Sequence, residues 1–178
     1  IRRELGSDFT VKNIRKIYYV ASNGTDSDFV RYTNTITRMD DHLTKYFVKQ
    51  RPLFSLKVYL FKDADSYQSF CRKSLNEEPS TPFGFYRSAG HLLVMNVATG
   101  TGTLAHEIVH PFVESDFPSA PSWFNEGFAS LYEQSMANGD KMMGLVNWRL
   151  PALQKAINSK KCPNLSSFMA DTSENFYA

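Results

Sequence analysis

Apolar positions recur at steps of three and four from Phe29 through Tyr32, Ile36, Met39 and Leu43 to Phe47, which predicts a long amphipathic helix. Thr25, with Asp28 three residues later and Asp26 between them, supplies an N-terminal signature. The helix is therefore placed from Thr25 to about Lys49, with Arg51-Pro52 as its stop. Ahead of it, Ile14 to Val20 is a β-branched and aromatic run suited to a strand and broken by Ser22-Asn23-Gly24. Behind it, Leu53 to Phe61 alternates apolar residues with Ser55 and Lys57 and reads as a second strand. A short helix over Asp65 to Leu75 would turn Tyr67, Phe70, Cys71 and Leu75 inward. Phe83 to Tyr86 and His91 to Val97 flank Arg87-Ser88-Ala89-Gly90 and predict a β-hairpin. Beyond Gly102 the pattern is helical. One helix carries residues 106–110, and a second carries 123–129 and ends near Met136 at Asn138-Gly139. Further helical segments are expected from Asp140 to Trp148 and from Pro151 to Asn158, Pro151 being suited to a helix start. Strands come early and helices late, so the fold class expected is α+β.

Length and composition narrow the picture without changing it. A chain of 178 residues suits one domain with a sheet-containing part over 1–100 and a helical part over 101–178, read as cut short at its end. A formal net charge of +2, with no Lys/Arg block, gives no electrostatic case for nucleic acid. No stretch approaches the roughly 18 apolar residues of a membrane span. The first residue is Ile1 rather than methionine, which reads as the loss of an upstream segment and leans the location slightly outside the cytoplasm. Cys71 and Cys162 are the only cysteines, and two readings stand. One is a disulfide contributing about 4–5 kcal/mol through a long closed loop. The other is a pair of buried thiols.

The chemistry concentrates in His106-Glu107-Ile108-Val109-His110 and in Trp123-Phe124-Asn125-Glu126-Gly127-Phe128-Ala129. Residues four apart lie one above the other on a helix, so His106 and His110 can grip one metal ion. Glu107 is rotated by about 100° from His106 and points beside the metal, where a base is needed. Hydrolytic zinc sites use three protein ligands and keep one position open. Glu126, from the second helix, completes that count. The bland alternative is a helix whose histidines merely hydrogen-bond in the core, but two of the chain's four histidines sit at ligand spacing.

These residues resemble the gluzincins, zinc metallopeptidases of the peptidase MA-like superfamily. Their ligands are two histidines of His-Glu-x-x-His and a glutamate on a following helix. The stretch from Trp123 to Ala129 is similar to the Trp-Leu-Asn-Glu-Gly-Phe-Ala segment of zinc aminopeptidases, with Phe124 in place of leucine. The resemblance implies a zincin-like domain holding one Zn2+ through His106, His110 and Glu126, with Glu107 as general base and a peptide or protein as substrate. It also implies an edge strand just before the zinc helix that receives extended substrate, a role for which Leu92 to Asn96 is in place. A tyrosine well downstream of the ligand glutamate stabilises the oxyanion in that family, and Tyr177 is the candidate here; the alternative is a terminal aromatic packed for stability. His91 is a lesser candidate, more readily an exposed hairpin residue. Ser130 stands where related enzymes place an aspartate that orients a metal-binding histidine. Gly127 is expected to let the two helices approach closely.

Three departures from the family pattern matter. Only fifteen residues (111–125) lie between His110 and Glu126, so Asp116 to Pro121 is a trimmed connection. The acid that binds the substrate amine in aminopeptidases has no counterpart in Val94-Met95-Asn96, which argues for an endopeptidase. Pro111 follows the second histidine directly and predicts a bend or an early helix end. The function expected is a zinc peptidase. The rival is a peptidase-like zinc-binding module that does not turn over, favoured by Ser130 and the abrupt end of the chain. Oligomeric state leaves no trace in the sequence.

Overall fold

The computed structural model describes residues 2–139, 141–170 and 176 and shows an α+β fold. A short helix α1 (Arg2–Leu5) precedes strands β1 (Thr10–Ile14) and β2 (Tyr18–Ser22), which form an antiparallel hairpin. The apolar run from Ile14 to Val20 is therefore two strands and a turn. Arg15 and Lys16 take positive φ values of 51° and 65° there without being glycine, a conformation that costs energy in side-chain-bearing residues. Arg15 offsets that cost by reaching Asp40 at 3.1 Å and Asp41 at 2.7 Å.

Helix α2 (Asp26–Tyr46) begins where the cap signature placed it, Thr25 Oγ1 accepting from the Asp28 amide at 3.1 Å. It leads to β3 (Leu56–Phe61), which pairs parallel with β2. Helix α3 (Ala64–Phe70) continues into a π-helical turn over Cys71–Leu75 and stops at Asn76 in the left-handed region. Strands β4 (Gly84–Arg87) and β5 (Leu92–Asn96) form the second hairpin. The sheet order is β1-β2-β3-β5-β4. Leu92 to Asn96 is thus an interior strand, parallel to β3 on one side and antiparallel to β4 on the other. The edge falls to β4, one strand earlier in the chain than expected. All five of its residues are buried because both faces of this interior strand are covered.

Side chains alternate between two cores. Val58 and Leu60 of β3 and Leu93 and Met95 of β5 face a large cluster that includes Phe29, Tyr32 and Ile36 of α2. Tyr59, Phe61, Leu92 and Val94 face a smaller one with Tyr67, Phe70 and Cys71. Helix α4 (Gly102–Asp116) supplies Leu104, Ile108, Val109 and Phe112 to the large cluster, and α5 (Ser122–Glu133) adds Ala129 and Tyr132. Pro111 neither ends nor interrupts α4, contrary to expectation. The lost backbone bond is outweighed because every residue from Leu104 to Val113 is buried.

After α5 comes a second correction. Where helical pattern suggested a segment from Asp140 to Trp148, β6 (Ser135–Asn138) and β7 (Lys141–Gly144) form a hairpin turning at Asn138-Gly139, with Gly139 at φ 63°. Asp140 lies outside the described residues. Helices α6 (Leu150–Asn158) and α7 (Leu165–Met169) follow, the former starting one residue ahead of Pro151, which lies in its first turn. Among the described residues no helix is long and apolar enough to cross a membrane. Cys71 and Cys162 are both free, Cys71 buried and Cys162 exposed, so the disulfide reading falls.

One polar group locks the sheet to α2. Asp40, fully buried, accepts from Tyr18 Oη at 3.0 Å and from Arg51 Nε at 2.8 Å, with Arg15 alongside. Asp40→Ala leaves the Tyr18 hydroxyl buried without a partner and frees two guanidiniums that can recover only part of their hydration. The expected cost is about 2–4 kcal/mol, toward the low end for a broken buried pair because both arginines keep some contact with water. Chemical denaturation of the variant against the parent measures it, and a change below about 1 kcal/mol would show the cluster to be peripheral.

Candidate metal centre

Helix α4 presents His106, Glu107 and His110 as one buried group whose candidate ligand atoms lie within 4.8 Å of one another. The family-like helix α5 packs across it and brings up Glu126. Glu126 Oε2 stands 3.2 Å from His106 Nε2, and Oε1 stands 4.0 Å from His110 Nε2. The connection between the helices is the short Asp116 to Pro121 segment read from the sequence. Close approach depends on Gly102 rather than Gly127. A Cβ at Gly102 would lie 2.6 Å from the Glu133 carbonyl oxygen, whereas one at Gly127 would meet open space.

The outer nitrogens of both imidazoles face acceptors. His110 Nδ1 is 3.0 Å from Asn125 Oδ1 and donates to it. His106 Nδ1 is 2.9 Å from Glu133 Oε1, a charge contact set off the line of a hydrogen bond. The Asn125 acceptor draws the His110 proton to Nδ1 and leaves its Nε2 lone pair free. His106 Nε2 hydrogen-bonds with Glu126, and His110 Nε2 lies between Glu107 Oε2 at 3.7 Å and Glu126 Oε1 at 4.0 Å. Tetrahedral zinc with bonds of about 2.0–2.2 Å places its ligand atoms about 3.3–3.6 Å apart. The observed 3.2 and 4.0 Å, made to the two different oxygens of Glu126, lie just outside that spacing on either side, so the placement of Glu126 beside the two histidines is compatible with a bound metal ion. The cluster can hold a metal ion.

Glu107 is held differently. Its Oε2 accepts from the Tyr86 amide of the edge strand at 2.8 Å and lies 3.7 Å from His110 Nε2. Burial pushes its pKa up to about 7, against the opposing pull of His106 and the Tyr86 amide. Burial also lowers the pKa of His110. For His106 burial acts downward too, but the hydrogen bond to Glu126 and the carboxylates of Glu107, Glu126 and Glu133 outweigh it and raise the pKa. Burial works against the charge on Glu133, yet Arg149 and Asn147 hydrogen-bond to its carboxylate and hold its pKa below the usual glutamate range.

Ser130 does not orient a ligand, contrary to expectation; its carbonyl accepts from Asn147 Nδ2 at 3.3 Å. Glu133 takes the place next to His106. It stands seven residues after Glu126, two helical turns on and so on the same face, a signal the sequence carried. Asn125 sits inside the family-like segment beside the ligand, where its amide was available to be read. Tyr177 lies outside the described residues. Tyr86 Oη donates to Glu114 Oε2 at 2.6 Å and lies 3.1 Å from His91 Nδ1. His91 is half-buried and stacks flat on Phe54 at 3.6 Å rather than standing free on its hairpin. Trp123 and Phe124 pack edge-to-face at 6.0 Å. Phe124 and Phe128 extend the core. The centre opens into a cleft whose lining includes Thr81, Phe83, Phe117, Ser135 and Trp148. Compared with known proteins, the chain matches no family model and no curated protein sequence.

Proposed function

We propose that this chain is a zinc-dependent peptidase of gluzincin type that cleaves within peptides. The observation that carries the reading is the convergence of His106, His110 and Glu126, with Glu133 and Asn125 facing the outer Nδ1 atoms and Glu107 held beside them by the Tyr86 amide. A protein that only stored a metal would have no use for that fourth group. His106, His110 and Glu126 would hold the ion, which supplies Lewis acidity that polarises a carbonyl and acidifies water. Glu107 takes the proton of the attacking water at its carboxylate and returns it to the leaving amine. The Tyr86 amide keeps that carboxylate in place between the two transfers. Glu133 removes one ground for the non-catalytic rival, since a carboxylate replaces the weak serine orienter.

Substrate would lie along β4. An extended peptide pairs with an exposed sheet edge through backbone hydrogen bonds. Along that edge the Gly84 amide and carbonyl are taken by Thr81 Oγ1, and the Tyr86 amide by Glu107. The Tyr86 carbonyl is the group left for a peptide to use. The edge strand β4, Gly84-Phe85-Tyr86-Arg87, offers no carboxylate to capture a free amine, which supports endopeptidase action.

Cleavage of a quenched peptide library should disappear on chelation and return with one equivalent of zinc. Inertness of the zinc-loaded protein toward the whole library would overturn the proposal. An N-terminally acetylated peptide should be cut at the same internal bond as its free twin, as judged by mass spectrometry. Stepwise loss of single residues from the free peptide alone would mean that some acid elsewhere in the cleft captures the amine.

A further inference from the structure

We infer that Arg149, from a segment beyond the β6–β7 hairpin, is a positioning residue for the metal centre and acts by clamping Glu133 against His106. The inference rests on the zinc reading above. The hydrogen bonds of the Arg149 guanidinium go to Glu133, and its charge also acts on Glu126. Its Nε and Nη2 reach the two oxygens of Glu133 at 3.1 and 2.8 Å, a two-pronged contact that fixes the plane of the carboxylate. Asn147 Nδ2 adds a contact to Glu133 Oε2 at 3.3 Å, and Asn147 Oδ1 accepts from the Arg149 amide at 2.9 Å. Glu133 Oε1 is then shared between the guanidinium and His106 Nδ1.

The clamp answers a problem set by burial. The Glu133 side chain is only 10% exposed, while Arg149 is 54% exposed. A carboxylate in that position without a cation would hold its charge poorly and could turn from the imidazole. His106 would then lose the carboxylate that faces its Nδ1 at 2.9 Å and steadies the ring. The Glu133 backbone is already fixed, because its carbonyl oxygen fills the space that the missing Gly102 side chain leaves. Only the side-chain direction remains to be set, and Arg149 sets it. The clamp is itself anchored: the Leu145 amide donates to the Gln134 carbonyl at 2.8 Å, and the guanidinium lies 4.5 Å from the Trp148 ring centre. The hairpin between Gln134 and Leu145 thus returns the chain to the end of α5, where it closes behind the centre.

Zinc affinity, measured by competition with a chromophoric chelator, tests this on the parent, Arg149→Ala, Arg149→Lys, Glu133→Gln and the double variant Arg149→Ala/Glu133→Gln. Arg149→Ala should weaken zinc binding by about 10- to 100-fold, the range for losing the support of a ligand histidine. Arg149→Lys should recover only part of it, since an ammonium cannot grip both oxygens. In the Glu133→Gln background, removing Arg149 should change affinity by less than about twofold, because the group it acts through is gone. Thermal unfolding of the metal-free variants separates this from a general loss of structure, which would lower the melting temperature and add to the effect of Glu133→Gln. Parent-like zinc affinity in Arg149→Ala, or full additivity in the double variant, overturns the inference. A parent that binds no zinc overturns the metal reading itself.

Discussion

Glu107→Gln should retain its zinc and lose peptide cleavage by on the order of 10²–10⁴-fold, the usual contribution of a positioned acid–base group. The amide matches the carboxylate in size, and its oxygen can still accept from the Tyr86 amide, which now meets Glu107 Oε2 at 2.8 Å. The metal ligands are therefore undisturbed. What is lost is a site for the proton, because a neutral amide cannot take one from water near neutral pH. The measurement is zinc content beside kcat/KM on one internally quenched peptide. A fall in zinc content alongside activity would recast Glu107 as a ligand, in keeping with its 3.7 Å distance from His110 Nε2. Equal turnover in variant and parent would remove Glu107 from the chemistry altogether.

Replacing either histidine should have the largest effect on the metal. The parent is expected to hold one zinc per chain through dialysis, and His106→Ala or His110→Ala to hold far less than one equivalent. A catalytic zinc site has three protein ligands, so one deletion removes a third of the set and opens a second position to water. The damage spreads outward, because Glu133 loses the imidazole 2.9 Å away in one variant and Asn125 loses its donor at 3.0 Å in the other. Metal analysis after exhaustive dialysis checks both variants. If each still binds a full equivalent, the ion sits elsewhere and the ligand set is misassigned.

The misread segments share a cause. Asn138-Gly139 marks the end of a helix and the turn of a hairpin equally well, and the apolar residues beyond it satisfied a helical spacing by accident. Leu145 settles the matter by donating to the Gln134 carbonyl, a contact no local pattern contains. The break at Arg15-Lys16 carried no glycine or proline, and its positive φ values are held by Asp40 and Asp41, some 25 residues away. Pro111 looked like a stop because its local cost is visible in the sequence, while the burial that outweighs it is not.

The sequence by itself determined what depends on short range: the α2 cap at Thr25, the helix-face spacing of His106 and His110, the short turn into α5, and the presence of Glu126 within reach. Helix geometry alone enforces the cap and the histidine spacing, and the fifteen residues between His110 and Glu126 limit how far apart the two can lie. The tertiary structure decided which strand forms the edge, which glycine admits the second helix, and which groups stand behind the ligands. β5 was placed in the interior because β3, which lies before α3 in the chain, pairs along the side that its hairpin partner β4 leaves open. Ser130 gave way to Glu133 because orientation across two helices depends on how their axes meet, and Gly102 sets that contact. Arg149 follows Glu126 by 23 residues and a hairpin, and only the folded chain brings its guanidinium to the carboxylate facing His106.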